Sequence, residues 1–250
     1  MDRRLDHLCV VLIEPKSPGN IGSVARAMKN MGISHLRLVN PTAYRDDAEQ
    51  RKMGYRSQEI ISAGREFASL KDAVADRSVV FLATARKGKW KKDFLTPAQA
   101  AAWIADFGLQ QSIALVFGRE DKGATIDEAQ LANYLIKIPS AVAYPSLNLA
   151  QAVMVVVYEV FQALRARSSD APLPRLAERR AQQRLLDNIW ELMKGLEVRE
   201  PDQGLFHRSL KRALNRTQWT NADIAVFDRF CKQVRWYTAT HCRTRPPEES

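Results

Sequence analysis

At 250 residues with 46% hydrophobic and 26% charged content, the chain can bury a core and predicts one to two domains at ~150 residues each. Eleven glycines, eleven prolines and no short repeat exclude fibrous and disordered classes, and three scattered cysteines (Cys9, Cys231, Cys242) supply neither a disulfide framework nor a zinc site. The excess of 38 Lys and Arg over 28 Asp and Glu, +10 in all, favours a polyanionic partner, RNA or DNA.

The first apolar run, Leu8 to Ile13, stops at Glu14, short of the ~7–15 residues of a secretory leader. The longest unbroken one, around Val153 to Tyr158, is far below the ~20 residues of a membrane span. A cytoplasmic protein with no membrane partner is expected. Further strand-like runs follow at His35 to Val39, Ser78 to Ala83, Ile113 to Phe117 and Leu135 to Ile138. Between them lie helical candidates: Ile21 to Met31, pieces near Glu59, Asp72 and Glu128, Pro97 to Asp106, and a last helix from Leu147 to Ala166. Continuous apolar strands separated by helices predict an α/β fold, a mostly parallel sheet covered on both faces. This domain takes residues 1–164; Pro172, Pro174 and paired serines make 165–182 a linker, and 183–250 form a small, basic helical extension.

Three loops carry candidate chemistry. The first, Pro15 to Gly32, follows the first strand; Pro18 and Gly19 turn the chain and Asn20 is the expected N-cap of a helix starting at Ile21. Arg26 lies on the polar face of that helix, leaning towards free backbone N–H groups where a phosphate docks, although a solvated arginine satisfies the spacing equally. The second, Val116 to Gly123, ends the fourth strand; Gly118 permits close backbone approach at a sheet's carboxyl edge, beside the opposite charges of Arg119 and Glu120. The third, Ile138 to Val153, brings Tyr144, Pro145 and Ser146 to the mouth of the last helix, where Ser146 is a sufficient N-cap and Asn148 sits less comfortably one step inside. No GxxxxGK[ST] or GxGxxG loop is present, and His7, His35, His207 and His241 lack ligand-like spacing, so no metal is expected.

The order NIG-x-x-ARA-x-K-N-x-G, VFGRE-x-x-G, then IP and Y-x-SLNLA-x-AV, resembles the SPOUT class of RNA 2′-O-ribose methyltransferases, and within it the TrmJ type acting on tRNA cytidine and uridine. The resemblance covers about residues 7–164 and, less sharply, the helical extension. It implies a homodimer with a C-terminal trefoil knot, S-adenosylmethionine as cofactor, and tRNA as partner, at nucleotide thirty-two of the anticodon loop. By motif position it places Ala83, Thr84, Ala85, Gly118, Ile138, Pro145, Ser146 and Leu147 around the cofactor. Arg26 and Ser146 become the catalytic residues, and Arg119 and Arg86 face the RNA. Arginine keeps its proton, so Arg26 is read as a cation that stabilises a developing alkoxide and clamps a phosphate. Ser146 positions either the hydroxyl or the cofactor.

Outside the motifs, RKGKWKK (Arg86 to Lys92) interleaves cations with Trp90, a pattern that suits an unstacked base and its phosphates; Lys89 belongs to it. Arg208, Lys211 and Arg212 share a helix face by i, i+3, i+4 spacing and read as a second RNA contact. The competing readings are a ribosomal-RNA 2′-O-methyltransferase of the same class and a non-catalytic RNA-binding protein on this scaffold.

Overall fold

The computed structural model describes residues 5–85, 94–107, 111–141, 147–166, 175–196 and 203–241. The chain divides into two compact units, Met1–Pro174 and Arg175–Ser250. The first begins with β1 (Leu8–Ile13), α1 (Pro18–Asn30), β2 (His35–Val39), α2 (Ala48–Met53), α3 (Gln58–Ser62), β3 (Arg65–Phe67) and α4 (Leu70–Ala73). It continues through β4 (Val79–Ala83), β5 (Phe94–Leu95), α5 (Pro97–Phe107), β6 (Ile113–Phe117), α6 (Ile126–Gln130), β7 (Tyr134–Ile136) and α7 (Leu149–Ala166).

The seven strands form one sheet in the order β3-β2-β1-β6-β4-β7-β5, with every pairing parallel. β1 and β6 are buried along their whole lengths, which is why they read as unbroken apolar runs. Alternate residues serve opposite faces. Cys9, Val11, Val80, Leu82, Ala114 and Val116 pack with Leu70, Ala73 and Ala129 of α4 and α6. The other face carries Phe81, whose ring lies 6.4 Å from Phe107 of α5 and 5.0 Å from Tyr134. The parallel α/β sheet with helices on both sides is the expected one. The edge strands β3 and β5 and the polar helix α2 are additions to it.

Two boundaries differ with consequences for the site. Ser17, not Asn20, caps α1: its Oγ accepts from Asn20 N at 3.3 Å, and Pro18 takes the first helical position, where a missing N–H costs nothing. The helix ends in a left-handed Gly32 (φ +75°), with Ile33 N donating to Met28 O and Gly32 N to Lys29 O. At the start of α7, Asn148 Oδ1 accepts from Ala150 N at 2.8 Å, while Gln151 Oε1 accepts from Asn148 N at 3.3 Å; Ser146, the expected cap, lies outside the described residues. Among the described helices α7 alone has the length and apolarity of a membrane span. Its stripe of Leu149, Val153, Val156, Val157, Val160 and Leu164 is buried, and it packs against α1 and α5.

The second unit contains α8 (Arg179–Gly195), α9 (Gln203–Arg216) and α10 (Asn221–His241). Ala177, Ala181 and Leu185 pack with Trp219 and Ile224 in its core, and Ala177 N donates to Trp219 O at 2.7 Å. Residues 175–182, expected as linker, are therefore folded: a bridge pairs Leu176 with Thr220, and α8 starts earlier than its apolar periodicity indicated. Arg179 is buried with no carboxylate partner among the described residues, donating to Gln182 Oε1 and Asn215 Oδ1 at 2.7 and 2.9 Å. Burial pushes its guanidinium down to about 10.

Candidate active site

The carboxyl ends of β4, β6 and β7 converge on a cavity of about 260 Å³. Ala83, Thr84 and Ala85 form one wall, Gly118 to Gly123 a second, and Ile138, Leu147 and Leu149 a third. Six of the expected cofactor residues thus meet in one place: Ala83, Thr84, Ala85, Gly118, Ile138 and Leu147. Pro145 and Ser146, with Arg86, Lys89 and Trp90, lie outside the described residues. Apolar Ile138, Leu147 and Phe117 suit a flat heterocycle, and backbone groups at strand ends suit its edges. The donor set fits S-adenosylmethionine. Among the described residues no His, Cys, Asp and Glu cluster could hold a metal ion.

At Gly118 the backbone does approach closely: a Cβ there would lie 2.5 Å from Ala124 N and from the Gly123 carbonyl carbon, so any side chain would collide with the loop's own backbone. Gly123, at φ +63°, completes the turn, and its N–H and C=O pair with those of Arg119 at 2.9 and 3.2 Å.

Arg119, expected to face RNA, is enclosed. Nε and Nη2 donate to the two Glu14 oxygens at 2.7 and 2.6 Å. Nη1 and Nη2 donate to the Glu128 carboxylate, both at 2.9 Å, and Nη1 also reaches Gly123 O at 3.3 Å. All five N–H donors are taken, and the side chain is 13% exposed. The fork of Glu14, then that of Glu128, pushes the guanidinium further up and holds Glu14 below the usual carboxylate range. Burial opposes the charge on Glu128, yet Arg119 outweighs it and holds that carboxyl low as well. In this arrangement Arg119 has no N–H left over for a phosphate.

The neighbouring side chains tie the three motif loops together. Glu120 accepts from Lys16 N at 3.2 Å and from Asn20 Nδ2 at 3.1 Å, and Asn20 Oδ1 accepts from Asn148 Nδ2 at 2.9 Å. Asn20 is free for this because Ser17 does the capping. Lys16 Nζ pairs with Asp121 at 2.6 Å.

Arg26 stands apart. It lies eight residues beyond Pro18, about 12 Å along the axis at ~1.5 Å per residue, so it is not beside the first-turn N–H groups as expected. It is exposed, has no ion-pair partner among the described residues, and lines a groove with Ser23, Ala150, Gln151 and Met154. The first turn of α7 separates this groove from the cavity: Ala150 and Gln151 face Arg26, whereas Leu149 and Ala152 face the cavity. In the second unit, Arg208 is exposed, while Lys211 and Arg212 are half-buried on the same helix, Arg212 Nη2 donating to Ser209 Oγ at 3.2 Å.

Fold and site define an open α/β protein that takes its ligand at the carboxyl edge of a parallel sheet. The pattern of the SpoU rRNA Methylase family matches residues 7–158, and the chain belongs to that family. It is 33% identical over 227 residues to the tRNA (cytidine/uridine-2′-O-)-methyltransferase TrmJ of Sodalis glossinidius, covering 89% of each chain. It is 41% identical over 158 residues to the tRNA (cytidine/uridine/adenosine-2′-O-)-methyltransferase TrmJ of Pseudomonas aeruginosa, 62% of this chain and 61% of that one. The crystal structure of TrmJ from Z. mobilis ZM4 superposes with a TM-score of 0.76 at 27% identity, covering 91% of this chain and 98% of the other.

Proposed function

We propose that the chain is an S-adenosylmethionine-dependent tRNA 2′-O-methyltransferase of cytidine and uridine, working in the cytoplasm at nucleotide thirty-two of the anticodon loop. The observation that carries the reading is the strand-end cavity, where six residues from three separate loops meet beside the Glu120–Asn20–Asn148 chain. The likeness to the Sodalis protein through most of both chains supports tRNA as substrate.

The cofactor supplies a methyl group on a sulfonium; Ala83 to Ala85, Gly118, Ile138 and Leu147 would hold it, with Pro145 and Ser146 completing the set by motif position. The chain's own contribution is orientation and charge. Attack by the ribose hydroxyl oxygen on that methyl carbon would be an in-line displacement, the O–CH3 bond forming as the S–CH3 bond breaks and S-adenosylhomocysteine leaves. The hydroxyl proton would pass to a ribose or phosphate oxygen or to water. Holding nucleophile and leaving group in line supplies much of the acceleration. Arg26 is proposed to stabilise the developing alkoxide and grip the adjacent phosphate, with Ser146 positioning the hydroxyl or the cofactor.

A homodimer is part of the same proposal. Val155 and Tyr158 leave apolar surface exposed on α7, at 37% and 46%, and Val155 lines the groove that holds Arg26. An isologous contact through this groove would cover that surface and set Arg26 against the same face of the partner, whose α7 borders the second cavity. The trefoil knot belongs here too; it is supported by a sheet in which β6 lies between β1 and β4 while β7 returns on the far side of β4.

The test offers tRNA and ribosomal-RNA transcripts side by side with labelled S-adenosylmethionine, and light scattering reports the oligomer. Methyl transfer to tRNA by a dimer is expected. Transfer to the ribosomal fragment alone would favour the ribosomal reading, and RNA binding without transfer would mean a non-catalytic binder.

A further inference from the structure

We propose that Arg119 is a positioning residue for the cofactor, acting through Glu14 and Glu128 to hold the loop from Gly118 to Gly123 against the cavity, and that it makes no contact with RNA. The inference rests on the reading of that cavity as the cofactor site. Its two carboxylates come from different places in the fold. Glu14 directly follows β1 with φ at +43°, a left-handed conformation a non-glycine residue keeps only where its surroundings over-determine it. Those surroundings include Arg119, whose fork takes both Glu14 oxygens. Glu128 is the third residue of α6 and closes a capping box with Thr125, so its carboxylate is held from the other side by Thr125 N at 2.7 Å. The guanidinium is therefore a bolt between the end of β1 and the start of α6, with the cavity loop hanging from its own backbone.

What the bolt holds is the part of the loop that matters. The Arg119–Gly123 backbone pair sets the loop's width, and Gly118 is pressed on Gly123 and Ala124 by it. The residue after the bolt, Glu120, faces the opposite way to Arg119, towards Lys16 N and Asn20 Nδ2. Rotation of Arg119 would thus move a cavity wall and the Glu120–Asn20–Asn148 chain together. A guanidinium with five satisfied donors has none left for a phosphate, whatever its charge.

A positioning role and an RNA contact differ in sign. Three full-length variants, Arg119→Gln, Arg119→Lys and Glu14→Gln, are compared with the parent by calorimetric titration of S-adenosylmethionine, by tRNA binding at several salt concentrations, and by KM for each substrate. Glu14→Gln keeps an acceptor for Arg119 and relieves no packing, so it stays informative if Arg119→Gln fails to fold. Expected is a cofactor Kd raised on the order of tenfold in Arg119→Gln, the scale of one lost charge-assisted hydrogen bond. Glu14→Gln should show a smaller rise in the same direction. Lysine, which cannot fork both carboxylates, should restore the affinity only in part. KM for the cofactor rises in step, while tRNA affinity and its salt slope stay as in the parent. Cofactor affinity unchanged in a folded Arg119→Gln would overturn the inference. So would a tRNA salt slope reduced by about 0.7–0.9 in Arg119→Gln, with tighter tRNA binding in Glu14→Gln, the pattern of a phosphate contact. A parent chain that binds no S-adenosylmethionine would overturn the cavity reading itself; a binding parent with unchanged variants would overturn the positioning role alone.

Discussion

Replacing Arg26 with alanine separates chemistry from architecture more cleanly than any other single change. Arg26 is exposed between buried Ala25 and Ala27 and makes no ion pair among the described residues. Alanine is the better helix former by a few tenths of a kcal/mol, so stability should move by no more than about 0.5 kcal/mol. If the guanidinium meets charge that develops only during methyl transfer, the single-turnover rate at saturating tRNA and cofactor should fall by about a hundredfold or more, ~2.7 kcal/mol of barrier. Arg26→Lys keeps the charge without the planar fork and should fall in between. Urea unfolding, light scattering and rapid-quench methylation on the same preparations give the comparison. A saturated rate within about threefold of the parent, with only tRNA affinity weakened, would make Arg26 a recruiting residue and refute the mechanism.

Neutralising Arg208, Lys211 and Arg212 together should do the reverse: tRNA affinity drops, and the log–log salt slope flattens by roughly 0.7–0.9 for each phosphate no longer neutralised. The saturated rate should hold. Gly22→Ala should cost about 2 kcal/mol in urea unfolding, because its Cβ would run into Gln50 O and lie 2.7 Å from Gly54 N, backbone atoms that cannot yield without parting α1 from α2. Asp76 faces the buried Arg37 with two hydrogen bonds at 2.5 and 2.8 Å. Burial opposes its charge, but Arg37 and Arg77 outweigh that and hold the carboxyl well below the usual range. A depressed folded pKa contributes stability above the unfolded value of ~3.9 that is lost as pH falls through and below it. Asp76→Asn should therefore be less stable than the parent at pH 7, with the difference shrinking below about pH 4 in acid titrations of unfolding.

Legibility in the sequence followed burial. Leu8 to Ile13, His35 to Val39 and Ile113 to Phe117 coincide with β1, β2 and β6 because residues closed in on both faces leave little polar interruption. β3 and β5, edge strands of three and two residues, carry no such pattern. α2 has no apolar stripe to betray it; its position depends on the Asp47 cap and on the bare backbone of Gly22. The Ser17-Pro18 pair was a readable helix start, masked by the equally good cap chemistry of Asn20. Thr125-x-x-Glu128 was readable too, as a capping box, but not its second use. That Glu128 and Glu14 meet on one arginine follows from β1 and β6 being neighbours, with 105 residues separating Glu14 from Arg119. For the same reason the loops that line the cavity were legible as motifs, while the Arg119 contacts that join them were not.

Mass spectrometry of tRNA methylated by the purified chain tests the central claim most directly, with nucleoside digestion giving the chemical position and nuclease mapping giving the nucleotide. The expected product is a 2′-O-methylated cytidine or uridine at nucleotide thirty-two, absent when S-adenosylmethionine is withheld. A methyl group on the base, or none on tRNA when the same preparation modifies ribosomal RNA, would contradict it.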